Sequence, residues 1–144
     1  MSQAAGRLLA VDLGTKRIGL ALSDPSGLLA TPLATLTAEP ATTLVERLLA
    51  VARAHEATGL VVGLPRRLDG SAGPEAQAAR RLAAQLRSRS GFSVELVDER
   101  LTSVIAERAL LANGHKRARR KELSDQVAAA VTLQGYLDSL RRLA

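Results

Sequence analysis

Apolar and polar positions sort the chain into short strands at its start and longer amphipathic helices towards its end. Leu8 to Leu13 and Arg17 to Ser23 are apolar runs joined by a short turn, and Asp24 Pro25 Ser26 Gly27 makes another turn, so two successive strands are predicted. Leu33 to Thr37 predicts a third. From Pro40 to about His55, Leu44, Leu48 and Val51 recur on one helical face, with the proline suited to a first turn and Gly59 as the stop. Leu60 Val61 Val62 is continuously apolar up to Gly63, the pattern of a strand buried on both faces. Leu64 to Gly73 reads as a loop. Pro74 to Ser90 reads as a second helix broken by Gly91, and Ser93 to Val97 as a strand running into Asp98 and Glu99. Thr102 to Ala112 predicts a third helix stopped by Asn113 Gly114, and Ser124 to Leu140 a fourth with Ser124 as its cap.

This order predicts an α/β fold: a mixed five-stranded sheet whose later strands enter by parallel crossovers, with helices on both faces. In such sheets functional groups gather at the carboxyl ends of the parallel strands. Asp12 closes an apolar run at one such end, where an ionised carboxylate is costly unless a partner or a cation compensates it. A plainer role is to cap the turn Leu13 Gly14 Thr15, and this segment alone leaves both open. Glu99 ends a second strand, although Asp98 and Glu99 could equally form an exposed end that pairs with Arg100. Asp125 shares a helix side with Ala128, Ala129 and Thr132, all small enough to let that side lie close to a sheet. An acidic residue in a first helical turn is also favoured by the macrodipole. Taken together, the carboxylates of Asp12, Glu99 and Asp125 are hard oxygen donors suited to Mg2+ or Mn2+, with positions open to water and phosphate. Two-metal phosphodiester hydrolysis is the chemistry such a set serves.

Composition narrows the partners. With 144 residues the chain is expected to form one domain spanning 1–144. Lysine and arginine number 20 against 14 acidic residues, a net charge of +6 that favours a polyanion such as nucleic acid. The absence of cysteine removes disulfides, thiolate nucleophiles and cysteine-ligated zinc. Phe92 and Tyr136 are the only aromatic residues, so contacts to backbone phosphate are expected ahead of base stacking. No stretch has the length of a membrane span and no secretory signal opens the chain, which makes the cytoplasm the expected location. A basic run containing Lys116, Arg117, Arg119, Arg120 and Lys121 precedes the helix bearing Asp125 and is expected to act as a mobile phosphate clamp. Arg66 and Arg67 after another strand end, with Lys16, Arg17 and Arg100 beside the acidic residues, are further candidates for phosphate contact. His55 and His115 receive no catalytic role.

The segment Val11 Asp12 Leu13 Gly14 Thr15 Lys16 Arg17 Ile18 Gly19 Leu20 Ala21 Leu22 Ser23 Asp24 resembles the opening of YqgF/RuvX proteins, a family of ribonuclease H-like nucleases. Val62 Gly63 Leu64 Pro65 with Asp69 Gly70 and Gly73 Pro74, then Asp98 Glu99 Arg100 Leu101 Thr102, then Ser124 Asp125 Gln126 Val127 Ala128 Ala129, agree in the same order. The resemblance implies a three-layer ribonuclease H-like fold with Asp12, Glu99 and Asp125 as metal-binding carboxylates. It also implies a role in maturing the 5′ end of the 16S ribosomal RNA precursor, or, as earlier proposed for the family, in resolving Holliday junctions. RuvC-type resolvases carry a further aspartate one helical turn beyond the position matched by Asp125, where this chain has Ala128. Two other classes stay in view. Asp12 Leu13 Gly14 Thr15 is similar to the phosphate-binding turn of actin-like and sugar-kinase ATPases, and a non-catalytic RNA-binding assembly factor would share the basic surface. Monomer and homodimer are both open.

Overall fold

Alternation along the first apolar run decides which side of the sheet each residue serves. A computed structural model describes residues 6–65, 73–98 and 117–143, with backbone alone at 117–122 and 143. Its strands are β1 (Arg7–Leu13), β2 (Arg17–Ser23), β3 (Ala30–Thr37), β4 (Ala57–Leu64) and β5 (Ser93–Asp98). Its helices are α1 (Leu44–Ala54), preceded by a 3-10 turn at Ala41–Thr43, α2 (Pro74–Ser90) and α3 (Arg117–Leu143). Leu9 and Val11 of β1 join Ile18, Leu20, Leu60 and Val62 in a core closed by α1 and α2. Ala10 faces the other way, and with Ala21, Val61, Leu133 and Leu137 forms a second core under α3. β4 therefore feeds both cores, which is why its sequence is apolar without alternation.

The strand order is β3-β2-β1-β4-β5. β1, β2 and β3 form an antiparallel meander, while β1 pairs β4 and β4 pairs β5 in parallel. The mixed sheet and two-sided helical cover follow the expectation from sequence. β3 begins at Ala30, earlier than expected, with Pro32 inside it. Proline is tolerated there because β3 is an edge strand, whose free side needs no ladder donor. The turn before it is held by Asp24, which accepts hydrogen bonds from the Leu28 and Leu29 N–H groups at 2.8 Å and from the Ser26 N–H and hydroxyl. These bonds, that from Leu29 foremost, hold the Asp24 carboxyl well below the usual carboxylate range.

Helix boundaries also differ from the sequence reading. The first helix enters through the 3-10 turn, where Arg47 donates to the Thr37 carbonyl at 2.7 Å and the Pro40 carbonyl at 2.9 Å. Its stop is not Gly59, which lies inside β4; the chain reverses at Glu56, whose φ is 59°. The last helix begins at Arg117, so Ser124 is interior rather than a cap, and Arg117, Arg119, Arg120 and Lys121 belong to the helix rather than to a loop. α2 matches its expected ends, with Pro74 in its first turn and Gly91 closing it at φ 76°. The expected helix at Thr102 to Ala112 and its stop lie outside the described residues.

α3 lies across β2 so closely that its backbone replaces a side chain. A Cβ placed on Gly19 would stand 2.0 Å from the Asp125 carbonyl oxygen. Gly135, in contrast, has nothing within 4 Å of the place its Cβ would take. Gly19→Ala is therefore expected to cost about 2–3 kcal/mol of unfolding free energy as helix and strand are forced apart. Gly135→Ala is expected to add about 0.5–1 kcal/mol by lowering the freedom of the unfolded chain; urea denaturation of the two variants reads both signs.

Candidate active site

Asp12 is the next residue after Val11 on β1 and continues the side occupied by Leu8 and Ala10, the side covered by α3. Its partner across the antiparallel ladder is Gly19, and residues directly opposite in such a pair project to the same face. A Cβ on Gly19 would lie 2.9 Å from the Asp125 Cβ. Asp12 and Asp125 are thus brought to one spot on one face, with a side-chain-free position between them. Close approach is the reason for glycine here, and a glycine in the middle of an apolar strand is the sequence signal that could have revealed it.

The first-turn role considered for Asp125 does not apply, because about two helical turns separate it from the start of α3 at Arg117. Its carboxylate instead accepts a hydrogen bond from Arg17 Nε at 2.7 Å, with side-chain exposures of 26% for Asp125 and 34% for Arg17. Arg17 opens β2 and shares its face with Gly19 and Ala21. The next residue of the helix, Gln126, donates from Nε2 to the Thr35 hydroxyl at 2.9 Å and fixes the rotation of α3 against β3. Sequence reading missed both Gly19 and Gln126.

The turn from β1 to β2 is closed by the Gly14 N–H donating to the Arg17 carbonyl at 3.0 Å, which keeps exposed Lys16 at the same end of the sheet. Asp98 ends β5 at the rim of a cavity of about 340 Å³ lined by Val97, Val131, Thr132, Tyr136 and Ser139 among others. Burial, and after it the Glu95 carboxylate, push the Tyr136 phenol above its ordinary value, so it remains a neutral hydroxyl in this wall. Glu99, Arg66, Arg67, Arg100 and Lys116 lie outside the described residues, and α3 carries Arg117, Arg119, Arg120 and Lys121 in its first turns. Among the described residues no three Asp, Glu, His or Cys side chains gather closely enough to hold a metal ion. The two aspartates placed on one face around Gly19 are oxygen donors, which fit a hard divalent cation better than a soft one.

A five-stranded mixed sheet in the order β3-β2-β1-β4-β5, with α1 and α2 on one face and α3 on the other, is the ribonuclease H-like architecture. A structure of T. thermophilus RuvC in complex with a Holliday junction substrate has the same fold, with a TM-score of 0.62 at 18% identity over 96% of this chain and 98% of that one. The family model described as "RuvX: Holliday junction resolvase" matches residues 6–139, and the chain belongs to that family. A relative from Roseiflexus sp. (strain RS-1), named "Putative pre-16S rRNA nuclease", is 43% identical over 98% of this chain and 100% of its own length. One of the same name from Myxococcus xanthus (strain DK1622) is 47% identical over 94% of this chain and 89% of its own.

An ion pair with both side chains about a quarter to a third exposed adds little to folding stability. Asp125→Asn is expected to change the unfolding free energy by less than about 1 kcal/mol, so that any loss of function in this variant reports on chemistry and not on folding; parallel thermal melts of the variant and the parent protein check this.

Proposed function

We propose that the chain is a metal-dependent nuclease that hydrolyses phosphodiester bonds, and that its reaction is the processing of the 5′ end of pre-16S rRNA. The observation that carries the reading is the placement of Asp12 and Asp125 on one face, each next to Gly19, in a chain of the RuvX family whose relatives bear that nuclease name. Asp12 and Asp125 would hold Mg2+ or Mn2+ together with Glu99, which is assigned through its place in the family motif Asp98 Glu99 Arg100 Leu101 Thr102. A bound divalent ion supplies a water of lowered pKa and electrostatic stabilisation of the leaving oxygen. The protein supplies the rest. Its carboxylates are ligands and not nucleophiles, so no side chain is covalently modified. Lys16 and Arg17 place positive charge at the carboxyl end of β1, and the first turns of α3 add Arg117, Arg119, Arg120 and Lys121. These cations position the polyanion through its phosphates, which sets affinity and salt dependence without reading sequence.

Hydrolysis of four-way DNA junctions is the second reading, favoured by the family description and by the shared fold. One position speaks against a fully RuvC-like site. Ala128 lies on the buried side of α3 and is 4% exposed, so the further aspartate of RuvC-type resolvases has no counterpart there. Incubation of the full chain with a pre-16S RNA and with a four-way junction, in Mg2+ or Mn2+, separates the two. Metal-dependent cutting of the RNA is expected, falling by at least about 100-fold in Asp12→Asn and in Asp125→Asn. Cleavage undiminished in both variants would sink the metal site, and paired symmetric nicks in the junction alone would move the assignment to DNA.

A further inference from the structure

We propose that Arg17 is an exchangeable counter-ion of Asp125: it holds the carboxylate until a divalent cation arrives, and the cation then releases its guanidinium to a phosphate of the nucleic acid. The inference rests on the metal-site reading above and concerns how that site is loaded. Arg17 and Asp125 lie 108 positions apart in sequence and are joined by a single Nε–Oδ2 contact of 2.7 Å. An arginine gripping a carboxylate for good commonly does so through two parallel N–H bonds. Among the described residues one of its five N–H donors is engaged, and the other donors sit on the terminal nitrogens that best recognise phosphate. The pair is also wet, with Arg17 34% and Asp125 26% exposed, so water and ions reach it and separating it is inexpensive.

Position makes the exchange useful. Arg17 starts β2 next to exposed Lys16, at the sheet end where Asp12 stands, while Asp125 lies over Gly19 two residues further along the strand. A cation held by Asp12 and Asp125 and a guanidinium on the same carboxylate repel each other, so metal and Arg17 compete for Asp125. The displaced guanidinium remains tethered at the site entrance, where a phosphodiester is the complementary anion. Binding of metal would thus add one phosphate contact to the protein at the moment the site becomes competent.

A fixed brace makes the opposite prediction. If Arg17 merely orients Asp125, its removal loosens a ligand and weakens metal binding. Calorimetric titration of the full chain with Mn2+ is therefore expected to give about tenfold tighter binding for Arg17→Gln than for the parent, with Arg17→Lys in between. In EDTA, where no cleavage occurs, Asp125→Ala frees the guanidinium and is expected to bind an RNA duplex with a salt slope steeper by about one, a gain absent from the Asp125→Ala, Arg17→Gln double variant. Unchanged or weaker Mn2+ binding by Arg17→Gln, or an unchanged slope in Asp125→Ala, overturns the exchange. Asp12→Asn tells this apart from failure of the site itself: if it binds Mn2+ as tightly as the parent, the metal-site reading falls and the exchange with it, whereas loss of binding there with no gain in Arg17→Gln refutes the exchange alone.

Discussion

The packing of α3 directly onto β2 at Gly19 is the constraint from which the rest of this face follows. A helix normally stands off a sheet by the length of the side chains between them. Here the separation is reduced to backbone contact, and the helix side that meets the sheet is built from Ala128, Ala129 and Thr132, all buried. Larger residues at these positions would lift the helix and carry Asp125 away from Asp12. Polar contacts with the edge strand then fix the helix along its length. Gln126 bonds Thr35, and two turns on Gln134 accepts from the Ala30 N–H at 2.9 Å while donating to the Leu28 carbonyl at 2.9 Å. The edge strand β3, poorly marked in the sequence, is what anchors the helix on which half of the carboxylate pair is carried.

The two aspartates of the opening motif illustrate how differently a charge at a strand end can be used. Asp24 is consumed by its own turn, with backbone N–H groups and a hydroxyl satisfying both oxygens. Asp12 is placed by the ladder opposite a glycine and beside a second carboxylate from a distant helix. For Asp12 both the turn-capping and the functional explanation were open from local sequence, and only long-range packing separates them, whereas Asp24 was read as part of a turn. Clustering like charges raises the energy of a folded protein unless a cation intervenes, and among the described residues Arg17 places its cation on Asp125.

Most of the fold was legible because its signals are local. The two apolar runs either side of Gly14, the uninterrupted Leu60 Val61 Val62, and the proline and glycine that bracket α2 all act within a few residues. Errors arose where a residue did something its type rarely does. Glu56 takes a left-handed conformation usually left to glycine, so the end of α1 carried no glycine signal and Gly59 attracted the assignment. Pro32 lies before the expected strand Leu33 to Thr37 and is in fact an edge-strand residue. Ser124 looked like a cap, yet the arginines and lysine before it are good helix formers and the helix runs back through them. Of the site, the chemical types at Asp12 and Asp125 were readable, while the Arg17 pairing and the Gly19 contact depend on which elements meet in space. Glu99 was assigned by family resemblance and lies outside the described residues.

The pairing of Arg17 with Asp125 across 108 positions also orders events in time. Chains are made from the amino terminus, so β1 and β2 can form their hairpin long before the helix that completes the carboxylate pair exists. Until α3 has emerged and docked, neither Asp12 nor Arg17 has the Asp125 carboxylate near it. A half-made chain still attached to a ribosome, an assembly made largely of the polymer proposed as its substrate, therefore carries the strands of the site without the means to cut.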